Sequence, residues 1–102
     1  MTGIELDQDQ ASELAEVFHL LGDSNRLRLV CACLDEAVNV HELAERLGIT
    51  PSLVSHHLRL LKAARLMRAE KRGRQVFYRA ADEHVRRVLH DMTAHLDEEM
   101  ED

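Results

Sequence analysis

Residues 39 to 62 read N-V-H-E-L-A-E-R-L-G-I-T-P-S-L-V-S-H-H-L-R-L-L-K. Two short amphipathic segments flank one glycine. Asn39 offers a helix N-cap, with Glu42 three residues on as its reciprocal partner. Val40, Leu43, Ala44 and Leu47 then recur at helical spacing, and Gly48 ends that helix. Ile49 links, Thr50 caps, and Pro51 suits the first position of a second helix that runs to about Ala64 with Val54, Leu58 and Leu61 inward. Two short helices around a tight glycine-containing turn form a helix-turn-helix. The second helix presents Ser52, Ser55, His56 and Arg59 outward, three and four residues apart and so on one face, with Lys62 three residues further on.

Downstream, the hydrophobic period changes to that of strands. Residues 66–70 and 75–79 read as a hairpin around Lys71-Arg72-Gly73-Arg74, a basic tip. A helix-turn-helix followed by such a hairpin is a winged helix. Its second helix suits a major groove, and Arg72 and Arg74 at the wing tip suit phosphate. Upstream, residues 1–9 are polar and read as flexible, as do 99–102. A helix over 10–21 carries Leu14, Val17, Phe18 and Leu21 on one face and stops at Gly22. Asp23-Ser24 opens a central helix over Asn25 to about Glu36. The fold class is mostly α with a small β-hairpin, in a single domain over residues 1–102.

The net charge of −6 argues against a nucleic-acid partner, but its distribution reverses that reading. Residues 1–16 hold five acids and no Lys or Arg, and residues 91–102 hold six acids and no Lys or Arg. Between them, residues 59–79 hold eight Lys and Arg against the single acid Glu70. A local basic stretch is the electrostatic footprint of double-stranded DNA binding. No apolar run approaches a membrane span and no secretory leader is visible, so a cytoplasmic location with reduced thiols is expected.

The last helix, Asp82 to about Glu98, carries Asp82 and His84 at its start and His95 and Glu98 near its end. The two imidazoles are almost three turns apart, within roughly 20° on one stripe but roughly 16 Å apart along the axis. One ion cannot reach both in one chain. An antiparallel copy of the helix brings the start of one against the end of the other, and two-fold symmetry makes the site twice. Val85, Val88, Leu89, Met92 and Leu96 supply the apolar stripe for that homodimer. Two imidazoles and two carboxylates suit tetrahedral Zn(II), and Co(II) fits as well; Ni(II) favours a larger set. A closed four-ligand site leaves no open position for a substrate, so no enzyme is expected.

Other motifs carry less. Cys31 and Cys33 point about 200° apart on a helix and read as structural thiols. His41-Glu42-Leu43-Ala44-Glu45 lacks the second His of a zinc-protease helix. His90 lies off the His84–His95 stripe, and His57 reads as a half-buried packing residue.

Taken together, the chain resembles the ArsR/SmtB family of metal-responsive winged-helix repressors. L-L-G-D-S-N-R-L-R-L (20–29) is similar to that family's entry into its second helix, T-P-S-L-V-S-H-H-L-R-L-L-K (50–62) to its recognition helix, and R-G-R-Q-V-F-Y-R (72–79) to its wing. A family subset has a metal site on the last helix, patterned Asp-x-His-(ten residues)-His-x-x-Glu or His, which Asp82, His84, His95 and Glu98 match. The resemblance implies dimerisation through the first and last helices. It also implies an apo homodimer that binds operator DNA and is released by Zn(II) or a similar divalent ion. Two departures stand out. The Cys-x-Cys found in many members is Val38-Asn39-Val40 here, and a position often polar in the family is Pro51. The alternative is a winged-helix regulator answering another signal: thiol redox at Cys31 and Cys33, or a different metal such as Ni(II) or Co(II).

Overall fold

The structure, a computed structural model, describes residues 3–98. Among them are five α-helices and three strands: α1 (Gln8–Leu21), α2 (Ser24–Ala32), β1 (Val38–Asn39), α3 (Val40–Leu47), α4 (Pro51–Ala63), β2 (Met67–Arg72), β3 (Gln75–Ala80) and α5 (Glu83–Asp97).

Side-chain caps set most helix starts. Asp7 accepts from the Gln10 amide at 2.8 Å while Gln10 Oε1 accepts from the Asp7 amide at 3.1 Å. This capping box starts α1 at Gln8, two residues before the periodicity does, so residues 8 and 9 are helical rather than flexible. Residues 1, 2 and 99–102, also expected to be flexible, lie outside the described residues. Asp23 caps α2, and Arg26 Nε donates to the Leu20 carbonyl at 2.7 Å, locking the α1–α2 corner. Asn39 caps α3 by accepting from the Glu42 amide at 2.9 Å, whereas the Glu42 carboxylate turns to Arg46 at 3.0 Å and leaves the expected box half made.

The central helix is shorter than its apolar pattern suggests. It ends at Ala32, with Cys33 as C-cap, rather than near Glu36. Continuing it would set Asp35 and Glu36 at the negative end of the helix dipole. Instead the Cys33 carbonyl accepts from the Ala80 amide at 3.0 Å, and the chain turns to form β1. That two-residue strand, absent from the sequence reading, pairs with β3 in the register Val38↔Tyr78 and Asn39↔Phe77, giving sheet order β1-β3-β2.

The hairpin is longer than expected. β2 and β3 pair from Met67↔Ala80 to Arg72↔Gln75, so Lys71 and Arg72 are strand residues and the turn is Gly73-Arg74 alone. Gly73 has φ +62° and Arg74 is not left-handed, which fits a two-residue loop with glycine first.

One hydrophobic core joins these pieces. Leu29 and Val30 of α2 and its C-cap Cys33 meet Leu43 of α3, Val54, Leu58 and Leu61 of α4, and Met67 and Ala80 of the hairpin. The outer helices sit at its edge. Val17 and Leu21 of α1 and Val85 and Leu89 of α5 turn onto the core. Leu14, Phe18 (59% exposed), Val88, Met92 (52%) and Leu96 (78%) do not. The expected apolar stripes of α1 and α5 are thus each only partly used. Between them runs an apolar groove of roughly 180 Å³, with His84 on its rim.

Candidate DNA interface and metal-ligating helix

Helix α3, the Gly48-Ile49-Thr50 turn and α4 form the helix-turn-helix. Gly48 has φ +70° and reverses the chain. Thr50 Oγ1 accepts from the Leu53 amide at 3.1 Å, and Pro51 occupies the first turn, so α4 begins rigidly. Helix α4 buries Val54, His57, Leu58 and Leu61. Ser52, His56, Arg59 and Lys62 are exposed on the far side and Ser55 is half-buried. These side chains of α4 share one outward surface, as their spacing requires.

His57 is more deeply placed than its expected half-buried position, at 6% exposure. Its ring lies 5.6 Å from that of His56, and among the described residues its Nδ1 has no hydrogen-bond partner. Burial, followed by the nearby Arg26 and His56 charges, pushes its pKa down; Asp23 opposes them.

At the wing, Arg74 is exposed in the turn itself. Arg72 is held from below: its Nη2 donates to Glu70 Oε2 at 2.8 Å and its guanidinium lies 4.8 Å over the Phe77 ring. Arg79 Nη1 donates to Glu70 Oε1 at 3.1 Å. These hydrogen bonds from Arg72 and then Arg79 hold the Glu70 carboxyl below its usual range. Glu70 therefore positions the wing arginines, a role its isolation among basic residues did not reveal. Strand alternation gives the signal: Glu70 and Arg72 share one face of β2, opposite Phe77 and Gln75.

Helix α5 carries the four candidate ligands. Asp82 is its N-cap, in extended backbone at φ −159°, and Oδ1 accepts from the Val85 amide at 3.0 Å. A side chain two residues from His84 would face away inside a helix. The extended cap instead leaves Oδ1 3.7 Å from His84 Nδ1. The His84 side chain is 96% exposed, and His95 and the C-cap residue Glu98 are exposed at the other end. The structure thus brings Asp82 and His84 together and leaves His95 and Glu98 apart from them. Among the described residues of one chain, no three His, Cys, Asp or Glu side chains gather as a metal-binding group. An ion using all four must be shared between two copies.

The two thiols lie in different surroundings. Cys31 is exposed and Cys33 is in the core, where burial pushes its pKa to about 12. On α5, His90 and Arg86 reach Asp35 at 3.3 and 2.8 Å, linking α5 to the segment between α2 and β1. Spacing could not have paired groups so distant in sequence.

Comparison with known proteins follows this geometry. The profile described as bacterial regulatory protein, arsR family, matches residues 23–68, the stretch from the α2 cap through the helix-turn-helix into β2. The transcriptional repressor SmtB homolog of Synechocystis is 40% identical over 88% of this chain and 68% of its own length. The chain belongs to the arsR family of bacterial regulatory proteins. As an arsR-family member it is a transcriptional regulator by lineage and not an enzyme. It spans about two thirds of the length of the curated relatives it matches.

Solved structures place the fold as a winged helix-turn-helix. A homodimeric winged helix-turn-helix DNA-binding domain from Mycobacterium bovis superposes with TM-score 0.81 at 27% identity, over 99% of this chain and 94% of that one. The cadmium metal-sensor CmtR from Mycobacterium tuberculosis gives TM-score 0.69 at 34% identity, over 86% of this chain and 97% of that one. Among the described residues no helix is long and apolar enough to cross a membrane.

Proposed function

We propose that this arsR-family chain is a homodimeric, metal-responsive transcriptional repressor of the cytoplasm. The apo dimer binds double-stranded operator DNA and is released by Zn(II) or a similar divalent ion. Asp82 and His84 of one copy and His95 and Glu98 of the other hold the ion. The observation that carries this reading is the layout of α5. Its two candidate ligand pairs sit exposed at opposite ends, beside an apolar stripe whose Val88, Met92 and Leu96 its own chain leaves uncovered. The donor set fits: two imidazole nitrogens and two carboxylates suit a four-coordinate Zn(II) site and match its charge. Bound there, the metal supplies a cross-link between the two copies of α5.

The rest falls to the chain. Ser52, Ser55, His56, Arg59 and Lys62 of α4 face the major groove, and Arg72 and Arg74 of the wing face phosphate. In a dimer held through α1 and α5, the angle between the α5 helices sets the spacing of the two α4 helices. A dimer fixed in one α5 arrangement loses DNA affinity only if the other arrangement fits DNA better. Coupling of this kind is typically ~1–3 kcal/mol.

Anisotropy titration of metal-free protein on operator DNA tests the reading. Saturating Zn(II) is expected to weaken binding by about 5- to 150-fold. His95→Ala is expected to bind DNA as the apo protein does and to ignore Zn(II). Unchanged affinity of the native protein under saturating Zn(II) would sink the metal response. Cobalt substitution checks geometry, since a tetrahedral site gives intense visible bands that His95→Ala should remove.

A further inference from the structure

Most large apolar side chains that α1 and α5 leave exposed belong to the face assigned above to a second copy. Leu53 does not. It is 37% exposed and stands in the first turn of α4, the turn that enters the groove in a helix-turn-helix. A single exposed leucine is ordinary on a protein surface. Its placement here is not. Leu53 lies three residues before His56, so the two side chains are neighbours on the helix surface. It directly follows Ser52, and both Ser52 and His56 are exposed hydrogen-bonding groups. Its backbone is fixed as well, because its amide is taken by the Thr50 cap at 3.1 Å and Pro51 sets the turn. The direction of its Cα–Cβ bond is therefore set by the helix start.

In the major groove each base pair shows a distinct edge, and thymine alone adds a 5-methyl group to its acceptor. An apolar side chain cannot use the acceptors and donors, but it can bury that methyl. We infer that Leu53 is a specificity-determining residue that packs against a thymine 5-methyl group of the operator. Ser52 and His56 read hydrogen-bonding edges beside it. The inference rests on the proposal that α4 is the DNA-reading helix.

The test begins by enriching bound duplexes from a random library with the full chain. Each thymine of the selected half-site is then replaced by deoxyuridine, which removes only the methyl. For the native protein, one position per half-site should weaken binding by about fourfold, the value of one buried methyl-sized group. Leu53→Ala should bind the thymine operator more weakly than the native protein does, and should no longer distinguish thymine from uracil. Leu53→Met keeps apolar reach and should keep the distinction. The inference fails if no thymine-to-uracil change affects the native protein, or if Leu53→Ala still discriminates. If no duplex is enriched, the DNA-reading proposal fails first and takes this inference with it.

Discussion

His57 shows how much one residue can carry that spacing does not reveal. The pattern of α4 places it next to the inward leucines. The coordinates add that it is 6% exposed, that Nδ1 lacks a partner among the described residues, and that Asp23 and Arg26 at the start of α2 face it. Its folded pKa lies below its usual value because the charged form is poorly solvated there. Above about pH 6.5 the ring is neutral in both folded and unfolded chains and adds no pH dependence. As pH falls below that value, the unfolded chain takes up a proton that the folded one resists, and stability drops. Asp23, Asp35 and Glu70 have lowered pKa values, so their contribution is lost only as pH falls through the carboxylate range, about pH 4 and below. The two windows separate. Urea unfolding at pH 7.5 and pH 5.5 should show a loss of stability for the native protein and a smaller loss for His57→Leu. Equal losses would mean that His57 is not the group responsible.

At the level of elements, the helix-turn-helix was legible because its punctuation is local. Asn39, Gly48, Thr50 and Pro51 announce α3 and the start of α4, and the observed bounds Val40–Leu47 agree with the sequence reading. The end of α2 and strand β1 were less legible because tertiary partners set them. Helix α4 closes with Arg65 at φ 61°, the Arg65 amide bonding the Lys62 carbonyl at 3.0 Å and the Leu66 amide the Leu61 carbonyl at 2.9 Å. This is a Schellman closure, a place where glycine is usual. The buried pair Leu61 and Leu66 holds it without one. The left-handed positions that follow the two helices of the helix-turn-helix, Gly48 and Arg65, therefore make opposite predictions. Gly48→Ala should destabilise by about 1 kcal/mol through backbone strain alone, since an added Cβ meets nothing within 4 Å. Arg65→Gly should stabilise by up to about 1 kcal/mol, because the Arg65–Glu13 contact at 3.9 Å is exposed and weak. Thermal unfolding of both variants reads the signs directly, and a destabilised Arg65→Gly would show that its side chain matters more than its backbone.

For the whole molecule, the metal proposal depends on where the four ligands meet. One α5 holds Asp82 and His84 at its start and His95 and Glu98 at its end, and the described residues of one chain form no complete set. Spacing along the sequence anticipated this division and Asp82 as the helix cap, and the coordinates add that the cap leaves its carboxylate 3.7 Å from His84 Nδ1. Sharing across a two-fold axis has a consequence that a site within one chain cannot reproduce. Take two inactive variants, Asp82→Ala/His84→Ala and His95→Ala/Glu98→Ala. Each homodimer lacks one half of both sites. In a mixed dimer, one site loses both halves, while the other joins the intact start of one helix to the intact end of its neighbour. Random re-association gives mixed dimers about half the time, each with one working site of two, so about a quarter of native metal capacity should return. Cobalt absorbance after co-refolding measures that fraction. The same mixture made with Phe18→Asp and Met92→Asp in both variants, which places charge on the exposed apolar face of α1 and α5, should not recover it. Recovery of a quarter that also depends on the apolar face would tie metal binding to dimerisation. Bands from either variant alone would instead move the site inside a single chain.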